Sequence, residues 1–292
     1  MSRWISLAAL AVALMGGAAL AAPPGDLPAA LYTDPAPDAA HPARMAVLHI
    51  PSHGVEINGV AYLAAGAGLH PTVVLLHGLP GNEKNLDLAQ AIRRAGWNVV
   101  TFNYRGSWGS PGVFRFEQNL EDADAVLAYV RAPATVTALG VDTRRVVIVG
   151  HSMGGWVAVN TAAHDPSLAG LVSISAGDMA ALGHAPLAAR VRAMADNMES
   201  LAGVTPESMA QDAADNAAKH GFDAAAAGLV NHPYLALTSD DGLASHTDGL
   251  VLAIRGRGGR QVTSLHVATD HSWSDHRIAL EAVILTWLQA LR

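Results

Sequence analysis

Arg145-Val146-Val147-Ile148-Val149-Gly150-His151-Ser152-Met153-Gly154-Gly155 runs from a short apolar strand straight into a serine flanked by glycines, and Trp156 to Ala163 continue with helical spacing. A serine between a strand and a helix sits in a strained turn, where Gly150 and Gly154 must be small because backbone and side chains crowd them. Such a turn lifts the Ser152 hydroxyl above the carboxyl end of a sheet and points it at a helix N-terminus, where developing negative charge is favoured. Ser152 is therefore the candidate nucleophile.

The rest of the chain repeats the alternation of strand and helix. Upstream, Thr72 to His77 is a continuous apolar run suited to a strand buried on both faces, followed by a helical pattern from Asn85 to Ala95. Asn98 to Asn103 reads as a strand and Leu120 to Val130 as a helix. Downstream, Leu168 to Ser175 is a further strand. Residues 178–231 break the rhythm with Ala-rich, Met-containing helical sequence, read as a small helical cap inserted into the sheet's winding. Pro233 to Thr238 resumes as a strand, His246 to Arg255 as a helix, Val262 to Val267 as the last strand and Ile278 to Leu291 as the closing helix. Ala46 to Ile50 and Val55 to Leu63, around His53-Gly54, form an antiparallel hairpin at the sheet's edge. The fold class is α/β, with a mostly parallel, doubly wound sheet.

Composition narrows the function. The 292 residues are 51% apolar and 15% charged, the balance of a globular chain rather than a disordered one. A net charge of -7 gives no reason to expect nucleic acid as a partner. The absence of cysteine removes disulfides, thiolate metal sites and a cysteine nucleophile together.

At the N-terminus, Arg3, the apolar run Ile5 to Leu20 and the small residues of Ala19-Leu20-Ala21 read as a signal peptide, residues 1–21, cleaved after Ala21. The run falls short of the roughly 20 residues a spanning helix needs, so the expectation is a periplasmic or secreted protein without stable membrane insertion. Residues 22–45, rich in Pro, Ala and Asp, are expected to be an extended arm, and 46–292 the folded domain.

The elbow Gly150-His151-Ser152-Met153-Gly154 and the strand-terminal His77-Gly78-Leu79-Pro80-Gly81-Asn82 together resemble the α/β-hydrolase superfamily, over about Thr72 to Leu291. Within it the chain is similar to small serine esterases and to prolyl-oligopeptidase-like and dienelactone-hydrolase-like members. It lacks the cysteine of the dienelactone enzymes and the aspartate that a haloalkane dehalogenase carries where Ser152 stands. The resemblance implies an oxyanion hole built from the N–H groups of Leu79 and Met153; Pro80 has no N–H to give. It also implies the chain order Ser, acid, His. The base is then His271, in the loop before the last helix, with His276 as the alternative. The acid is Asp241 in Ser239-Asp240-Asp241-Gly242, with its neighbour Asp240 as the alternative. His77, Gly78, Tyr104 and Trp156 are candidate pocket residues, although His77 and His151 also read as buried neighbours of the site. The loop Asn103 to Gly109 reads either as a pocket wall or as a structural loop in which Arg105 pairs with a carboxylate.

These residues describe two-step acyl transfer without metal or cofactor, on a small-molecule ester or related acyl substrate. A carboxylesterase is the first reading. A peptidase of prolyl-oligopeptidase type, an acyltransferase and a catalytically silent binding domain are the alternatives. The Ala-, Leu- and Met-rich insertion is expected to be an adaptable lid.

Overall fold

The computed structural model describes residues 27–291, so the expected signal peptide and the start of the arm lie outside the described residues. In chain order the elements are β1 (Arg44–Ser52), β2 (Val55–Leu63), β3 (His70–Leu76), α1 (Leu86–Arg94), β4 (Asn98–Phe102), α2 (Phe116–Arg131), α3 (Pro133–Leu139), β5 (Val141–His151) and α4 (Met153–His164). There follow β6 (Gly170–Ile174), α5 (Met179–Gly183), α6 (Leu187–Ala195), α7 (Pro206–Asn216), α8 (Phe222–Ala225), β7 (Tyr234–Ser239), α9 (Ala244–Gly256), β8 (Val262–Val267) and α10 (Arg277–Ala290).

Among the described residues the strands form one sheet in the order β1-β2-β4-β3-β5-β6-β7-β8. The hairpin β1-β2 joins β4 antiparallel, and every pairing from β4 to β8 is parallel. Side chains alternate across a strand, so a strand covered on both faces must be apolar throughout. On one face Val74, Leu76, Val146 and Ile148 pack with α2, α4 and α9. On the other Val73, Leu75, Val147 and Val149 pack with α1 and α10. This is the α/β-hydrolase architecture expected from the sequence, with β5 and α4 at its centre.

Three local expectations change. The strand begins at Val141 rather than Arg145, because Thr143, Arg144 and Arg145 are exposed and interrupt the apolar run. Before it lies the unexpected α3, which has Pro133 at its start and a left-handed Gly140 at its end, both of them strong signals for short helices. The arm is shorter than expected: Arg44 already pairs with Leu63. Its described part is also anchored, with Ala30 and Leu31 against the α1–α10 face and Arg94 Nε donating to the Ala30 carbonyl at 2.6 Å.

The insertion between β6 and β7 is helical, as expected, and part of it is anchored in the core. Met194, Met209, Phe222 and Leu229 are buried in the same apolar cluster as α2 and α4. A Cβ on Gly183 would fall 2.2 Å from the Ala213 carbonyl, so α5 and α7 approach as closely as a glycine permits. No helix among the described residues is long and apolar enough to cross a membrane.

Candidate active site

Ser152 lies between the end of β5 and the first residue of α4, with φ 57° and ψ −123°. Side chains other than glycine rarely adopt a positive φ, and here the neighbouring glycines make it attainable. A Cβ on Gly150 would lie 2.0 Å from the Gly154 carbonyl, and one on Gly154 would lie 2.5 Å from both the Leu76 and His77 carbonyls. Gly78 passes so close that its Cβ would sit 2.8 Å from that of Ser152. The two stretches Leu76 to Gly78 and Gly150 to Gly154 therefore meet at contact distances that no residue larger than glycine fits at positions 78, 150 and 154.

A cleft of about 150 Å³ opens at this point, lined by Gly78 to Glu83 on one side and by His151, Ser152, His271 and Ser272 on the other. His271 reaches it from the loop between β8 and α10. Its Nδ1–H donates to Asp241 Oδ2 at 2.7 Å, and the Asp241 side chain is 3% exposed. The proton on Nδ1 leaves the lone pair on Nε2, which is the form of a base. Asp241 also accepts from the Leu243 N–H at 2.8 Å. Burial pushes the Asp241 carboxyl up, but the bonds from His271 and Leu243 outweigh it and hold the group below the usual carboxylate value. Among the described residues no hydrogen bond joins Ser152 Oγ to the His271 ring, although both line one cleft. Contacts of this kind are often long until a substrate is present.

The alternatives from the sequence point elsewhere. Asp240 turns outward and accepts from His266 Nε2 at 2.9 Å, in an exposed pair. His276 caps α10 and bonds its neighbour Asp275 at 2.9 Å.

The amide N–H groups of Leu79 and Met153 have no hydrogen-bond partner among the described residues. The Gly78 carbonyl, on the same peptide unit as the Leu79 N–H, accepts from His77 Nδ1 at 2.8 Å. Because that unit is planar and trans, fixing its carbonyl also aims its N–H in the opposite direction.

Of the candidate pocket residues only Gly78 lines the cleft. His77 is buried, with Tyr104 edge-on to it at 4.8 Å. Tyr104 is fully buried, its hydroxyl turned to the His77 carbonyl at 3.4 Å, because a buried phenol must find an acceptor. Trp156 lies one helical turn past Ser152 and points into the cap, donating to the His220 carbonyl at 2.6 Å. Arg105 pairs with the buried Asp122 at 2.6 Å and with Glu121 at 2.5 Å, so this loop takes the structural reading.

Around these residues His151 takes the place expected of a buried neighbour of the site, whereas the roles of Trp273, Ser175 and Ser239 were not anticipated. His151 Nε2–H donates to the His271 carbonyl at 2.9 Å, and the two rings lie 4.8 Å apart. Trp273, two residues after His271, donates to Ser175 Oγ at 3.0 Å. Ser175 in turn bonds Ser239 Oγ at 2.8 Å. The indole can only donate, so Ser175 Oγ accepts from it, and either hydroxyl can be the donor across the contact between Ser175 and Ser239. Ser175 and Trp273 both have positive φ, at 45° and 58°. The one signal in the sequence was the aromatic and polar company of Asp241 and His271.

His77 and His151 give a pH prediction. Burial pushes each imidazole down to about 4, and His77 Nε2 and His151 Nδ1 have no partner to hold a second proton. Above pH 6.5 the rings are neutral in both folded and unfolded chains. Between 6.5 and 4 the unfolded chain binds the protons first, so stability falls as pH falls and then levels off below 4. Each ring is worth on the order of 3 kcal/mol across that window. Urea midpoints measured from pH 7 to 4 should drop steeply for the wild type and less for His77→Gln/His151→Gln; parallel curves would refute the assignment.

A model of the α/β hydrolase family matches residues 73–287. An sn-1-specific diacylglycerol lipase of Xenopus laevis is 32% identical over 122 residues, 40% of this chain and 36% of its own. A quorum-quenching protein of Acinetobacter baumannii is 33% identical over 128 residues, 42% of this chain and 40% of its own. The chain thus spans about two fifths of the length of the curated relatives it matches. Among solved structures, a thermostable carboxylesterase cloned from a metagenomic library superposes with a TM-score of 0.63 at 20% identity, covering 86% of this chain and 91% of that one. An acylaminoacyl peptidase of Pyrococcus horikoshii gives 0.65 at 14% identity, over 85% of this chain and 42% of that one. At these identities the structural likeness is one of fold.

Proposed function

The chain belongs to the α/β-hydrolase family, and from that premise we infer that it is a serine hydrolase that cleaves a carboxylic ester through Ser152, His271 and Asp241. The observation that carries the reading is the buried Asp241 carboxylate holding His271 Nδ1 at 2.7 Å, in a histidine that shares a cleft with the strained Ser152. His271 Nε2 takes the Ser152 proton as Oγ attacks the acyl carbon, and the C=O electrons move to the oxygen. The Leu79 and Met153 N–H groups receive that oxyanion at the N-terminus of α4. Collapse expels the alcohol, which leaves with the proton from His271. Water, deprotonated by the same ring, then releases the acid and restores Ser152. Asp241 orients the ring and stabilises its cation without taking the proton.

The cleft beside Ser152 is small, about 150 Å³, and on that ground a preference for short acyl groups is part of the proposal. The proposed activity is tested by mass mapping of a fluorophosphonate adduct on the purified protein, together with rates on aryl esters of increasing chain length and on a proline-containing amide. The expected result is an adduct on Ser152 and turnover that falls as the acyl chain lengthens. Turnover of the amide with none of the esters would replace the esterase reading by that of a peptidase.

A further inference from the structure

The loop after β4 contributes nothing to the chemistry above, yet its Trp108 touches the segment that carries Leu79. The Trp108 indole N–H donates to the Pro80 carbonyl at 2.8 Å. The Lys84 ammonium stands 4.2 Å from the centre of the same ring and also donates to Asn103 Oδ1 at 2.9 Å. Asn103 Nδ2 closes the circuit on the Trp108 carbonyl at 3.2 Å. The fit is close: a Cβ on Gly81 would lie 2.9 Å from the indole nitrogen and 2.4 Å from His77 Nδ1.

The segment Gly78-Leu79-Pro80 is thus pinned at both ends, by His77 at the Gly78 carbonyl and by Trp108 at the Pro80 carbonyl. With φ of Pro80 fixed by its ring, few torsions remain by which the Leu79 N–H could turn.

The backbone of Trp108 is bound to the cap. Its N–H donates to the Ser200 carbonyl at 2.9 Å, Ala202 N–H donates to Gly106 at 2.8 Å, and Phe114 N–H donates to Ala202 at 3.1 Å. Ser107 and Leu201 form an isolated antiparallel bridge between the same two segments. Trp108 holds this position at φ 49°, and Ser200 opposite at φ 58°. Two unfavourable backbone conformations facing each other persist only where the surrounding contacts impose them.

We propose that Trp108 is a positioning residue for the oxyanion donor of Leu79, and that through it residues 200–202 of the cap are coupled to that donor. A shift of the cap strap moves the Trp108 backbone, the indole follows, and the Pro80 carbonyl is released or held. The proposal rests on the serine-hydrolase reading of the same site.

Phosphonylation by a fluorophosphonate tests it without knowledge of the natural substrate, because its concentration dependence separates reversible affinity from the inactivation step. Trp108→Phe keeps an aromatic ring and removes the donor. Its inactivation rate constant should fall about tenfold, less than the loss expected for deleting an oxyanion donor outright, with affinity within about twofold. Ala202→Pro removes the strap's N–H from Gly106 at an exposed position and should produce a loss of the same kind. The double variant should lose no more than the larger single loss, as coupled residues do. Circular dichroism checks the fold of each variant, and Ala202→Pro carries the test if Trp108→Phe does not fold. Unchanged inactivation in the variants, a loss confined to affinity, or losses that multiply in the double variant would overturn the proposal alone, provided Ser152→Ala abolishes labelling. Labelling that survives Ser152→Ala would overturn the serine reading and this proposal with it.

Discussion

Ser152→Gly should yield a more stable protein that has lost its turnover. Ser152 sits at φ 57° and ψ −123°, a conformation open to glycine and costly to any residue with a Cβ. A residue held in such a region stores about 1–3 kcal/mol. Glycine pays back part of the relief, about 0.5–1 kcal/mol, through the greater freedom of its unfolded chain. The net expectation is a gain of about 1 kcal/mol. Ser152→Ala is the control: it deletes the hydroxyl and keeps the Cβ, so it keeps the strain and should unfold close to the wild type. Both variants lack the nucleophile, and ester turnover should fall by about five to six orders of magnitude in each. Urea denaturation and ester hydrolysis read the two quantities separately. Should Ser152→Gly prove no more stable than Ser152→Ala, the turn is not strained in the sense argued. Should either variant turn over ester at a tenth of the wild-type rate, Ser152 is not the nucleophile.

The elbow could be read in the sequence because part of its requirement is local. Gly150 meets Gly154 within the turn itself, and Val146 to Val149 before it are an uninterrupted buried apolar run, whereas the contacts of Gly154 with Leu76 and His77 come from the neighbouring strand. The winding of the sheet was legible from similar local runs: Val73 to Leu76 of β3, Val146 to Val149 of β5 and Tyr234 to Leu237 of β7 are each buried without interruption. What escaped is non-local. Trp273, Ser175 and Ser239 come together from three separate loops and strand ends, and no spacing announces their meeting. Tyr104 and Trp156 are near Ser152 in space or in sequence, but their large rings are claimed by the core and the cap. The cap's Ala and Met content fits an adaptable surface and a packed one equally, and Met194 and Met209 are the parts of it that reach the core.

Adjacent residues in an extended turn point in opposite directions, and the two carboxylates after β7 should separate sharply in function for that reason. Asp241→Asn preserves shape and volume and removes the charge beside His271. The asparagine amide can present its NH₂ to Nδ1, which drives the ring proton to Nε2 and leaves no lone pair facing the Ser152 hydroxyl. Without the carboxylate, the imidazolium formed during attack is also unpaired. The expected loss in kcat is about 10³–10⁴-fold, with KM little changed, because the defect acts on proton transfer rather than on binding. Asp240→Asn breaks only the exposed contact with His266, and exposed pairs contribute at most about 1 kcal/mol to stability. Its kcat should stay within about twofold of the wild type. Fluorophosphonate labelling rates should follow the same order, since labelling too needs the Ser152 proton removed. Equal losses in the two variants, or a larger loss in Asp240→Asn, would mean that the 2.7 Å contact between His271 and Asp241 does not orient the base. A large loss in Asp241→Asn alone would make the direction in which one turn residue faces, inward at 3% exposure, the difference between a working acid and a surface charge.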